Sequence, residues 1–102
     1  MATDWQLEHF APLVGSSFTV ALADGGTLAL TLHSATRLEP RMRQAGGRRE
    51  PFDLRFHSHG AVYLSQCTCL MTHDVLGALE IFIVPIGRLS DGSGFIHQAI
   101  FN

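Results

Sequence analysis

The sequence predicts an all-β fold: a small antiparallel barrel or sandwich of six to seven strands with one short N-terminal helix, in a single domain over residues 1–102. Two observations carry this. From Ser16 onward apolar residues recur at every second position, as in Phe18, Val20; Leu28, Leu30, Leu32; Phe52, Leu54, Phe56; Cys67, Cys69, Met71; and Leu79, Ile81, Ile83, the spacing that puts alternate side chains on one face of a strand. Between the runs stand Gly, Asp and Pro clusters whose backbone preferences reverse the chain. At 102 residues the chain has the length of one ordinary domain with one core.

Before Ser16 the period differs. Thr3 and Gln6 have the spacing of a capping box, Asp4 and Glu8 suit the positive end of a helix, and Leu7, Phe10, Ala11 and Val14 fall on one helical face. The helix is expected to stop near Pro12 and Gly15, forming a lid over one end of the sheet. Trp5 lies at its edge, either as packing over that end or as a contact anchor for a partner.

Asp24, Gly25 and Gly26 lie between the next two apolar runs and predict a hairpin, because glycine supplies the positive φ of a tight connection. His33 shares the threonine side of this pattern and is expected in solvent. Glu39 to Glu50 has no periodicity, contains a Gly-Gly pair and holds four of the seven basic residues, all seven being arginine. It predicts a loop. The stretch from Pro51 to Ile86 then supplies three strands, with breaks at Ser58 to Gly60 and at His73 to Gly77, and with Pro85 ending the sheet where no ladder donor is needed. Phe95 to Phe101 alternates again and predicts a closing strand that ties the apolar end of the chain into the sheet.

Composition narrows the functions. The formal net charge of −2 gives no general attraction to nucleic acid or acidic membranes. No apolar run approaches the roughly 18 residues that span a bilayer, and the N-terminus lacks a basic region followed by an apolar stretch. These features predict a cytoplasmic protein without nucleic-acid or membrane partners. Charged residues make up 16% of the chain, against about a quarter in ordinary soluble domains, which suggests that a partner covers part of the surface.

His57, His59, Cys67, Cys69 and His73 are the residue types that bind zinc or other transition metals. By parity His57 and His59 fall opposite the core positions of their strand and the cysteines accompany Met71, while spacing alone leaves open whether the two pairs converge. Cys-x-Cys is not a common zinc spacing, and no carboxylate follows the His-x-His pair in Gly60 to Leu64. The cysteine Cα atoms should lie about 6.5–7 Å apart, the far limit of disulfide geometry, so free thiols are expected. No hydrolase elbow, zinc-protease helix or phosphate loop is present. Asp74 beside His73 invites a catalytic dyad, but a turn position favours a structural role, with His73 bonding the turn backbone. Arg41, Arg43, Arg48 and Arg49 are candidates to grip a protein partner, since no aromatic residue alternates with them as on a nucleic-acid platform.

The segments FAPLVGSSFTV, DGGTLALTL, GGRREPFDLRF, THDVLGALEIFIVPIG and AIFN together resemble a small uncharacterised bacterial family of roughly hundred-residue β proteins, over nearly the whole chain. The resemblance implies companionship with proteins similar to phage tail-collar fibres, and hence a structural or assembly role. It does not extend to Cys67, Cys69 or the His57-Ser58-His59 stretch. The expectation is a non-enzymatic interaction or assembly module without a cofactor, with a protein partner such as a tail-collar-like fibre protein or a second copy of itself, touching it through Trp5, Arg41, Arg43, Arg48 and Arg49. The alternative is a small-ligand or metal-binding β-barrel using the histidine and cysteine cluster.

Overall fold

The alternation that begins after Ser16 closes on itself. A computed structural model describes residues 5–38, 51–60 and 62–101. Six strands, β1 (Ser17–Ala21), β2 (Thr27–Arg37), β3 (Phe52–His59), β4 (Cys67–His73), β5 (Gly77–Arg88) and β6 (Gly94–Phe101), form one closed barrel in the order β1-β2-β3-β6-β5-β4. All neighbours are antiparallel. The fold is therefore the barrel of the two predicted forms. The inward positions are those that the period of two assigns: Phe18, Val20, Leu28, Leu30, Leu32, Phe52, Leu54, Phe56, Met71, Ile81 and Ile83 are all buried.

The barrel is two three-stranded meanders, β1-β2-β3 and β4-β5-β6, and exchanging them strand for strand maps the pairing scheme onto itself. On one side β3 meets β6 through eight residue pairs, Phe52↔Phe101 to His59↔Gly94. On the other, β1 meets β4 through two, Thr19↔Thr72 and Val20↔Met71. Each meander has a bulge in its central strand, at His33 between Leu32 and Ser34 and at Ile86 between Pro85 and Gly87. A bulge adds one residue, bends the strand and resets its in-out parity. That is how the long central strands curve far enough to close a barrel of only six.

The bulge at Ile86 corrects the expected end of β5. Pro85 does not terminate the strand; it sits within it opposite His97, and β5 continues to Arg88. A proline lacks the ladder N–H, and a bulge is where a ladder is already interrupted. Closure also removes the free strand edges of an open sheet. Among the described residues, the first half of β4, Cys67 to Leu70, has no partner on its β1 side, because that joint is confined to Met71 and Thr72.

The N-terminal lid is shorter than predicted: α1 (Leu7–Phe10) passes directly into a 3-10 turn, Ala11–Leu13, with Pro12 early in it, where a missing N–H costs nothing. Its N-cap is Gln6, whose N–H donates to His9 Nδ1 at 2.8 Å; Thr3 and Asp4 lie outside the described residues. The tighter turn breaks the helical phase, so Phe10 is fully buried and Leu7 partly, while Ala11 and Val14 are exposed. Phe10 plugs this end, its ring 5.8 Å from Phe101, 6.0 Å from Phe52 and 6.4 Å from Phe18. Phe101 is indeed tied in, stacked on Phe52 at 4.7 Å with 6° between the rings.

Candidate functional site at the barrel rim

The histidines and cysteines do not form one centre. His57 and His59 face outward on β3, whereas Cys69 and His73 are buried on the inner face of β4, and β6 and β5 separate the two strands. Among the described residues no group of three or more His, Cys, Asp or Glu is placed to hold a metal ion. His57 stacks on the bulge residue His33, with centroids 4.0 Å apart and planes at 13°. Burial, together with the charges of His33 and His59, lowers the His57 pKa below the ordinary histidine value.

His73 Nδ1 accepts the backbone N–H groups of Val75 at 3.0 Å and Leu76 at 3.4 Å. Its proton is therefore on Nε2, which donates to Ser16 Oγ at 2.8 Å, and Ser16 donates on to the Leu13 carbonyl. A base must present a lone pair to the serine it activates; this tautomer presents a hydrogen. The Ser16–His73 pair is a tether that ties the β4–β5 turn to the segment leading from the lid into β1.

The end of the barrel remote from Phe10 has a different construction. A strap of residues 62–66 leads into β4, and His97 Nε2–H donates to the Leu64 carbonyl at 2.7 Å. His97 is fully buried, and its Nδ1 and the Oγ of buried Ser58 have no hydrogen-bond partner among the described residues. In register, Ser58 lies opposite Phe95 and Pro85 opposite His97, so these orphan atoms share the inner face with the rim. Above them the Arg88 guanidinium lies 5.7 Å from the Phe95 centroid, and Tyr63 meets Phe95 edge-on at 5.3 Å and 77°. Tyr63, Pro85, Gly87, Arg88 and Phe95 line a groove of about 470 Å³. Arg88 has no carboxylate partner among the described residues.

This groove combines an apolar floor, two aromatic edges and an unneutralised planar cation, a set suited to an apolar segment bearing a carboxylate. Around the outside of the same meander, Leu70 on β4, Phe82 on β5 and Ile100 on β6 are each 51% exposed. They form an apolar band across three adjacent strands.

Of the residues expected at a contact, Trp5 is half-buried, 5.6 Å from Phe10 and 5.3 Å from His9 in ring centroids, and packs against the core. Arg41, Arg43, Arg48 and Arg49 lie outside the described residues. Tyr63, Arg88 and Phe95 were not anticipated. The signal for two of them was present: Arg88 and Phe95 stand on either side of residues 89–94 as cross-strand partners, and residues flanking a hairpin connection face each other across it.

Residues 5–101 match the family described as "Domain of unknown function (DUF6916)". No curated protein and no solved structure matches the chain. Among the described residues no helix is long and apolar enough to cross a membrane.

Proposed function

The chain belongs to this family of unknown function, and we propose that it is a non-enzymatic interaction and assembly module that receives a protein partner at the barrel rim. The carrying observation is the groove lined by Tyr63, Pro85, Arg88 and Phe95, whose guanidinium has no carboxylate partner among the described residues. A segment that inserts an apolar side chain and pairs a carboxylate with Arg88 gains both buried area and a charge-assisted fork. The low charged fraction and the Leu70, Phe82, Ile100 band support a larger covered area around it. The partner we favour is a fibre protein of a bacterial phage-tail-like system, because of the segments that resemble companions of such fibres.

The test is co-purification of the natively expressed protein from its source organism, wild type against a Tyr63→Ala, Arg88→Glu double variant, with the captured chains identified by mass spectrometry. The expected result is a fibre or tail component retained by the wild type and lost by the variant, both being equally folded by circular dichroism. Equal capture by both, or a wild type that is monomeric by light scattering and captures nothing, overturns the proposal.

A small-ligand reading of the same groove is favoured by its concave lining of Tyr63, Pro85, Gly87, Arg88 and Phe95, whose size and mix of aromatic rings with one cation suit a small anionic molecule. A thermal-shift screen of carboxylate metabolites that raises the midpoint of the wild type but not of Arg88→Glu would select it over the protein partner.

A further inference from the structure

We propose that Cys67 and Cys69 are a modification site: a thiol pair that a hydroperoxide oxidises reversibly to an intramolecular disulfide. The backbone spacing of such a pair on a strand is at the limit for bridging, yet the side chains lean together and bring the two Sγ atoms to 2.9 Å. Closing to a bond needs an approach of about 0.9 Å more.

The surroundings permit that movement. β4 is laddered to β5 along its length, with Cys67 opposite Ile83 and Cys69 opposite Ile81. On its other side it is held to β1 only at Met71 and Thr72. Among the described residues the half-strand carrying both sulfurs therefore has one edge without ladder bonds, where it can pucker at Thr68. A fully laddered central strand would resist this.

Access decides the order of events. Cys67 is half-buried at the mouth of the barrel, directly after the strap of residues 62–66, whereas Cys69 is buried. Burial, helped by the hydrogen bond and the charge of Cys67, pushes the Cys69 thiol up to about 12, so Cys69 keeps its proton at neutral pH. Cys67 is the attacking sulfur and Cys69 the resolving one. The Cys67 thiolate attacks the distal oxygen of the hydroperoxide, the O–O bond breaks, and the released alkoxide takes up the proton that Cys67 lost. Cys67 is left as a sulfenic acid. The Cys69 sulfur then attacks the Cys67 sulfur, the S–O bond breaks, and the Cys69 proton leaves with the hydroxyl as water. In sum, two thiols and one hydroperoxide give one disulfide, one alcohol and one water.

The experiment exposes the folded, reduced full chain to one equivalent of hydrogen peroxide, quenches with an alkylating reagent and reads the intact mass. The expected product is a monomer lighter by two hydrogens, with neither cysteine alkylated and both recovered by dithiothreitol. Cys69→Ser should stop at a sulfenic acid trapped by a cyclic diketone, and Cys67→Ser should react about tenfold more slowly, as a buried thiol does. Two alkylatable cysteines after oxidation, a product linked only between chains, or direct passage to sulfinic acid would each overturn the proposal. The wild-type measurement stands by itself should either variant fail to fold.

Discussion

Phe10→Ala removes the plug from the lid end of the barrel, and its effect can be worked from the burial of one side chain. A phenylalanine removes roughly 150–250 Å² from water, which at about 25 cal/mol per Å² amounts to about 4–6 kcal/mol. Residual burial in the unfolded chain lowers this, and truncations of core phenylalanine cost about 3–5 kcal/mol. The expected loss is thus about 3–4 kcal/mol, a large share of the roughly 5–15 kcal/mol that holds an ordinary domain. For a chain of this size it corresponds to a drop in Tm of roughly 12–30 °C. Urea and thermal unfolding followed by far-ultraviolet circular dichroism would measure it. The single tryptophan gives a local readout: Trp5 lies against Phe10, so its emission should shift to the red in the folded variant. A loss below about 1 kcal/mol with unchanged emission would mean that Phe10 is not docked in the barrel end, and the account of the lid would fail.

Three further outcomes follow from other parts of the barrel. At Gly94 a Cβ would overlap the Ser58 carbonyl and lie 2.9 Å from His59 Cα; these are backbone atoms of the paired strand, so Gly94→Ala should cost about 1–3 kcal/mol in a urea titration, and no measurable change would contradict the close approach. Because the folded state disfavours the His57 imidazolium, stability should be full above the ordinary histidine pKa of about 6.5 and fall as pH drops through it toward the lower folded value. His33→Gln should flatten that decline in urea midpoints between neutral and mildly acid pH, and parallel profiles would refute the coupling. Tyr63→Ala and Arg88→Ala should each shift stability by less than about 0.5 kcal/mol, separating a recognition surface from the core; a loss of several times that would make the rim a structural element.

Much of the fold was legible because a barrel wall with one wet face preserves a strict period of two. Phe18 through Leu32 and Phe52 through Phe56 needed no other information. Parity also separated the outward His57 and His59 from the inward Cys69 and His73. It failed where the chain departs from regular pleating. Pro85 suggested a strand end because a sequence does not announce the bulge that accommodates it at Ile86, and the lid lost its helical phase where α1 tightens after Phe10. The rim groove was hidden for another reason: Tyr63 comes from a strap, Arg88 and Phe95 from two strands, and only the last two are related by a local turn. The short distance between the thiols was equally invisible, since backbone spacing limits the separation of two sulfurs but their rotamers set it.

The unequal joints between the meanders give the molecule a spine and a clasp. Eight residue pairs bind β3 to β6, and only two bind β1 to β4. Breathing motions should thus part the clasp while each meander and the spine stay intact, so amide hydrogens at the β1–β4 contact exchange with solvent by small local openings, and those along β3 and β6 wait for global unfolding. A protein built this way can relax its girth without unravelling.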